Sequence, residues 1–246
     1  MRIYYILMYY ASLLVFGGVA LALNATCAVL LLLPGRDARA PAVREAIRRL
    51  FGKWETWLGT MGLVRAAWSG PGPDGWLHPA VYVANHPSLI DATLLLARIP
   101  DAVCIFKPAL LRNPCLAPAA LMAGYVSGDG GIDLIHDLAA VLSSGRNVLI
   151  FPEGTRTLPG AALNPLKPGF ALIARRAAVP IQVLIIRVDR EVLPRGWPWW
   201  RAPRLPAQFD IRVDQAIIPD AEALTDDVVG AVERRFAECL SGEAEG

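Results

Sequence analysis

From Ile3 to Leu33 the chain runs 31 residues without a charged side chain, between Arg2 and Arg36. Wound as a helix, this run measures about 46 Å against a hydrocarbon core of about 30 Å, long enough to span a bilayer. Gly17 and Gly18 near its middle can kink one tilted helix or divide the run into a shallow re-entrant pair, which leaves the number of crossings open. A cleaved leader fits less well, because its apolar stretch is about 7–15 residues behind a basic start. Arg36, Arg39, Arg44, Arg48 and Arg49 follow at once, so the excess of positive charge assigns everything after the anchor to the cytoplasmic side. Over residues 42–68 apolar positions recur at helical spacing: Val43, Ile47, Leu50, Phe51, Trp54, Leu58 and Met61, with Arg44, Arg48, Arg49 and Lys53 toward the other side. This is an amphipathic helix with a basic face. It can pack on a domain core or lie among lipid headgroups; two Trp beside the basic cluster favour the interface.

Beyond the loop Gly70-Pro71-Gly72-Pro73-Asp74-Gly75 the pattern changes to alternating strands and helices. Strands are expected at Ala80–Ala84, Ala102–Phe106, Asn147–Phe151, Ile181–Arg187 and Phe209–Val213. Helices are expected at Leu89–Ala97, Ile132–Ser144, Gly169–Ala178 and Asp220–Leu240. The alternation predicts an α/β domain with a mainly buried sheet flanked by helices, and ligands at the carboxyl ends of its strands. Three units follow: a membrane anchor over 1–33, a basic amphipathic helix over 34–70, and the α/β domain over 71–246.

Composition supports a membrane-associated protein. Of 246 residues 54% are hydrophobic and 19% charged, with mean hydropathy +0.40; about 25% charged is ordinary for soluble domains. Disorder, collagen-like sequence and a plain cytosolic globule all fit poorly. The net charge of +2 is too small to neutralise several phosphates along a duplex, so nucleic acid is excluded as a partner. Charge is uneven all the same: residues 34–70 hold seven Lys/Arg against three Asp/Glu, and 214–246 hold nine Asp/Glu against two Arg, the latter a solvated helix face. Cys27, Cys104, Cys115 and Cys239 form no metal-like spacing and read as reduced, buried thiols.

Two polar stretches interrupt the apolar pattern at strand ends. The first is Asn85-His86-Pro87-Ser88-Leu89-Ile90-Asp91. Ser88 and Asp91 have the spacing of a capping box, in which the carboxylate only closes the helix start. A carboxylate in that first turn can equally accept the proton of a His86 ring nitrogen, which fixes the tautomer and leaves the other nitrogen a base. The second is Phe151-Pro152-Glu153-Gly154-Thr155-Arg156-Thr157, an ordinary polar turn or the carboxylate, hydroxyl and guanidinium that hold a polyol bearing an anionic group.

Together the H-x4-D and F-P-E-G-T-R stretches resemble those of glycerolipid acyltransferases of the lysophosphatidate acyltransferase (PlsC-like) type. Further likenesses follow in order at Phe106-Lys107-Pro108, Gly124-Tyr125-Val126, Lys167-Pro168-Gly169 and Val179-Pro180-Ile181. The resemblance implies an α/β acyltransferase domain of lipid biosynthesis that moves an acyl group from a thioester to a lipid hydroxyl. His86 would be the base and Asp91 its orienter. Glu153, Gly154, Thr155, Arg156 and Lys167 would hold the acceptor, with Lys107 near its anionic group. It also implies a membrane lipid and a lysolipid acceptor as partners, and acyl-CoA or an acyl carrier protein as donor, with no further cofactor. The chemistry is consistent: a thioester is an activated donor, so one base and good positioning suffice for an alcohol. The sequence has neither the H-E-x-x-H spacing of a metal site nor the G-x-S-x-G elbow of an acyl-enzyme.

The sequence departs from that pattern at Gly124-Tyr125-Val126-Ser127-Gly128-Asp129-Gly130-Gly131, where Gly130 stands near the place of the family's Arg. The expected acceptor is 1-acylglycerol-3-phosphate; a lyso-ornithine lipid or an aryl-polyene lipid is the alternative with less demand for cations. A lipid-binding protein without turnover is the reading from another class, disfavoured because neither His86 nor Asp91 is needed for binding alone. Finally, Leu193–Arg204 interleaves three Trp with three Arg, suited either to anionic headgroups or to covering the core.

Overall fold

Strands made almost wholly of apolar residues are buried on both faces, and the centre of this molecule is built that way. In the computed structural model Val81–Ala84 (β2) and Asn147–Ile150 (β5) are buried at every residue. Side chains alternate across the sheet: Tyr82 and Ala84 join one apolar layer, Val81 and Val83 the opposite one. The structure describes residues 1–72, 75–128, 130–220 and 222–241. Pro73 and Asp74 of the expected loop, Asp129 of the glycine stretch, and Glu243 and Glu245 of the acidic tail lie outside the described residues.

The other strands are Val64–Ser69 (β1), Ala102–Phe106 (β3), Val126–Ser127 (β4), Ile181–Val188 (β6) and Ala207–Ile217 (β7). They form one mixed sheet in the order β1-β7-β6-β2-β5-β3-β4, parallel throughout except where β7 lies antiparallel to β6. Helices Gly131–Ser143 (α5), Gly169–Ala177 (α6) and Thr225–Ser241 (α7) cover one face through Leu138, Phe170 and Phe236. Asp91–Leu96 (α3), with Leu94 and Leu95, covers the other together with Leu58 and Leu63. Ala117–Ala123 (α4) completes the set.

The apolar N-terminal run forms one continuous helix, Arg2–Leu31 (α1), through Gly17-Gly18; it is long and apolar enough to cross a membrane. It also rests on the domain along its length. The Tyr9 and Tyr10 hydroxyls donate to the carbonyls of Trp199 and Trp200, and Phe16 packs 4.4 Å from the Trp54 ring. Farther along, Asn24 Oδ1 accepts the Ala119 amide at 3.0 Å and Cys27 is fully buried.

Arg36–Thr60 (α2) follows, and here the sequence reading needs two corrections. Residues 64–69 are not helical. Helical spacing stops at Met61, and Val64–Ser69 alternates with period two, so it adds to the sheet edge beside β7 in the register Val64↔Ala207. Arg44 does not belong to the basic face: it is 5% exposed, its Nε pairs with Asp101, and its Nη1 donates to the Ala123 carbonyl at 2.9 Å. A third correction concerns the thiols, since Cys115 is exposed in the connection before α4 and Cys239 only half-buried. β7 is also longer than expected, because Gln208, Asp210 and Arg212 alternate outward and hide the strand from an apolar count.

Candidate active site

The strands β6, β2, β5 and β3 run parallel, so their carboxyl ends lie side by side. The loop after β2 is pinned from its first residue. The buried Asn85 side chain accepts the Ile186 amide at 2.7 Å and donates to the Ile186 carbonyl at 2.8 Å, continuing the β2–β6 ladder one residue past Ala84. His86 is then held by its main chain: its amide donates to Glu153 Oε1 at 2.8 Å, and its carbonyl accepts the Thr157 amide at 2.8 Å.

The ring is set by two further contacts. His86 Nδ1 lies 2.9 Å from Asp91 Oδ2, and the ring stacks on Phe151 with centroids 4.0 Å apart. Asp91 is fully buried at the start of α3, and the same Oδ2 accepts the Ser88 amide at 2.7 Å. The two readings of Asp91 are therefore one: a single oxygen closes the turn and holds the histidine. The Ser88 hydroxyl is not the helix cap; it accepts the Ile90 amide at 3.3 Å. Burial raises the Asp91 carboxyl above the usual carboxylate range, opposed by the hydrogen bonds from His86 and Ser88. A carboxylate so poorly solvated, with Oδ1 lacking any partner among the described residues, gains most when a cation forms on the neighbouring imidazole. The His86 side chain is 17% exposed, and Nε2 has no hydrogen-bond partner among the described residues. With Nδ1–H given to Asp91, Nε2 is the basic nitrogen.

The turn after β5 is built differently from the sequence reading. Glu153 points into the interior: it is 4% exposed, Oε1 also accepts the Thr157 hydroxyl at 2.9 Å, and Oε2 accepts the Asn164 amide at 2.9 Å. It ties the loop after β2 to two points of its own β5–α6 connection, because a buried carboxylate needs several donors and finds them there. Gly154 has φ +67°, and a methyl on it would lie 2.7 Å from the Lys167 amine, so a glycine lets Lys167 fold over the turn. Arg156 is half-buried and its Nη1 donates to the Leu193 and Pro194 carbonyls at 2.7 and 2.8 Å. Thr155 is half-buried, with no hydrogen bond from its hydroxyl among the described residues. Lys107 sits exposed at the end of β3, beginning the short 3-10 turn Pro108–Arg112, without an ion pair or hydrogen bond from its amine to the other site residues.

Six of the eight residues singled out in the sequence thus meet around the ends of β2 and β5, with Thr155 in the same turn and Lys107 at the neighbouring strand. Asn85, Phe151, Thr157 and Asn164 also build the site. Asn85 and Thr157 stand inside the quoted stretches, but Asn164 carries no local signal. Among the described residues no three His, Cys, Asp or Glu side chains are placed to hold a metal ion.

Residues 71–187 match the profile of the Acyltransferase family. A 1-acyl-sn-glycerol-3-phosphate acyltransferase of Cocos nucifera is 33% identical over 114 residues, 44% of this chain and 37% of that protein. A lyso-ornithine lipid O-acyltransferase of Pseudomonas aeruginosa is 36% identical over 120 residues, 47% of this chain and 46% of that one. The match thus spans less than half the length of each of these two relatives. The crystal structure of the 1-acyl-sn-glycerophosphate acyltransferase PlsC of Thermotoga maritima superposes over 98% of this chain and 97% of that one, with a TM-score of 0.71 at 20% identity, so the two share a fold.

Proposed function

We propose that this chain, whose residues 71–187 match the Acyltransferase family, transfers a fatty acyl group from a thioester, acyl-CoA or acyl-ACP, to the hydroxyl of a lysolipid. The observation that carries the reading is the 2.9 Å contact of His86 Nδ1 with a fully buried Asp91 at the end of a parallel strand. A surface histidine needs no such support; a base that must present one nitrogen in one tautomer does.

In this reading His86 Nε2 takes the hydroxyl proton as the acceptor oxygen attacks the thioester carbonyl. Asp91 stabilises the imidazolium that forms. The tetrahedral intermediate collapses with cleavage of the C–S bond, and the thiolate leaves with the proton from Nε2. Glu153 acts through His86 by holding its amide, and is a positioning residue. Arg156, Lys107 and Lys167 supply the cations for an anionic head. The acceptor that fits three cations is 1-acylglycerol-3-phosphate, and two relatives' names point to that lipid or to a lyso-ornithine lipid. Gly130 in place of a further cation is the observation that keeps the lyso-ornithine acceptor as the second reading.

α1 is the membrane element of the proposal. Both of its ends rest on the α/β domain while Ile3, Leu7, Leu14, Val19 and Val29 point outward. That exposed apolar side belongs in hydrocarbon, and the site then lies close to the bilayer in which its acceptor is dissolved.

Purified full-length protein with acyl-CoA or acyl-ACP and a panel of lysolipids, read by product mass, tests the reading. A diacyl product formed by the wild type and lost in His86→Ala supports it. Lysolipid binding without product would instead favour a lipid-binding protein.

A further inference from the structure

The loop Leu193–Arg204 lies beyond the residues that match the family, yet it reaches into the site. The Leu193 carbonyl accepts both Arg156 Nη1 and, at 3.3 Å, the amide of Leu89, three residues past His86. The backbone just before Arg195 is therefore fixed to both candidate stretches at once. It turns sharply there: Leu193 has φ +48°, Gly196 φ +85°, and the Trp197 amide reaches back to the Pro194 carbonyl at 3.0 Å. Arg195 occupies the second position of that turn. The far side of the loop is held as well. Trp197 Nε1 donates to the Arg201 carbonyl at 2.8 Å, the Arg201 guanidinium lies 4.5 Å over the Trp197 ring, and Tyr9 and Tyr10 bond the carbonyls of Trp199 and Trp200.

Among the described residues Arg195 and Arg204 are the loop's two arginines without a side-chain partner, and Arg195 is the one that directly follows the Pro194 carbonyl holding Arg156. Arg190 is paired with Asp189 at 2.6 Å, Arg187 reaches the Cys239 carbonyl, and Arg201 lies on Trp197. Among the described residues neither Arg156 nor Arg195 has a carboxylate within ion-pair distance. Burial holds Arg156 below its usual range; the negative charge of Asp91 opposes this, and the positive charge of Arg195 adds to it in smaller measure. Two arginines brought to one turn beside the strand-end histidine, Arg156 through the Pro194 carbonyl and Arg195 as the next residue, can share an anion, and a phosphate monoester offers both charge and enough acceptor oxygens for two forks.

We propose that Arg195 is a specificity-determining residue that grips the anionic head of the acceptor together with Arg156, and that this head is a phosphate monoester. The proposal rests on the acyl-transfer reading for its acceptor but not for the anion site itself.

Two measurements on the full-length protein test it. In steady-state turnover, Arg195→Ala should raise KM for lysophosphatidate roughly tenfold, the loss of one charge-assisted hydrogen bond, with kcat little changed. KM for lyso-ornithine lipid should stay put, and Arg195→Lys should restore most of the loss. Thermal stabilisation by glycerol 3-phosphate, present in the wild type and lost in Arg195→Ala, reads the same site without turnover. Equal effects on both acceptors, or an unchanged response to glycerol 3-phosphate, overturn the proposal. Stabilisation through Arg195 in a wild type that acylates no lysolipid would instead overturn the acyl-transfer reading and leave the anion site standing.

Discussion

Glu153 separates two accounts of the turn after β5, and Glu153→Gln is the change that tests them. The carboxylate accepts the His86 amide, the Thr157 hydroxyl and the Asn164 amide at 2.8–2.9 Å in a site 4% exposed. Glutamine has the same shape but only one acceptor oxygen. If that oxygen stays with His86 and Thr157, the new NH2 group faces the Asn164 amide, donor against donor. An orphaned buried donor costs about 1–3 kcal/mol, and two hydrogen bonds weakened from ionic to neutral add about 1 kcal/mol, so the loss should be near 3 kcal/mol. For a chain of this length that lowers Tm by about 6–12 °C. Because the His86 amide loses its ionised partner, kcat should fall for every acceptor alike, with acceptor KM nearly constant. Melting followed by circular dichroism, with turnover on two acceptors, decides the matter. A Tm within about 1 °C of wild type together with a selectively raised acceptor KM would refute the bracket role and return Glu153 to the acceptor.

Three other outcomes follow from the same geometry. His86→Ala should lower kcat by about 10²–10⁴-fold with the fold kept by circular dichroism, and Asp91→Asn should lose activity too; turnover within about tenfold of wild type would remove His86 as base. Asn85→Ala orphans both the amide and the carbonyl of Ile186, so chemical denaturation should register a loss of about 2–4 kcal/mol, and a neutral result would mean that the loop is held elsewhere. Maleimide labelling read by mass spectrometry near neutral pH should modify Cys115 first and leave Cys104 untouched, since burial pushes the Cys104 thiol up to about 12; early labelling of Cys104 would contradict the packing of β3.

What could be read from the sequence divides by the range of the contact involved. His86 and Asp91 were legible because both fall within one strand-to-helix turn, where five residues of spacing already set their geometry. The buried strands β2 and β5 were legible from apolar runs alone. Arg44 was not, because helical spacing places it among other arginines and cannot show Asp101, 57 residues away, closing over it. Residues 64–69 were missed because six alternating residues directly after an amphipathic helix read as its frayed end, and only β7, far along the chain, gives them a partner. Likewise Glu153 could not be seen to point inward until Asn164 was placed beside it, and the carbonyls that occupy Arg156 lie 37 and 38 residues downstream.

The bracket made by Glu153 has a consequence for how this site can change. Thr157 and Asn164 are both fastened to one carboxylate, and the stretch between them, Leu158 to Ala162, is exposed. A loop whose two ends are clamped can lengthen or change composition without moving what clamps it, and each doubling of its length costs only about 0.6 kcal/mol in closure entropy. Insertions there leave the His86 amide where it is. The arrangement separates a part of the molecule where change is costly from an adjacent part that is open to it, so the exposed stretch can vary without rebuilding the backbone that holds His86.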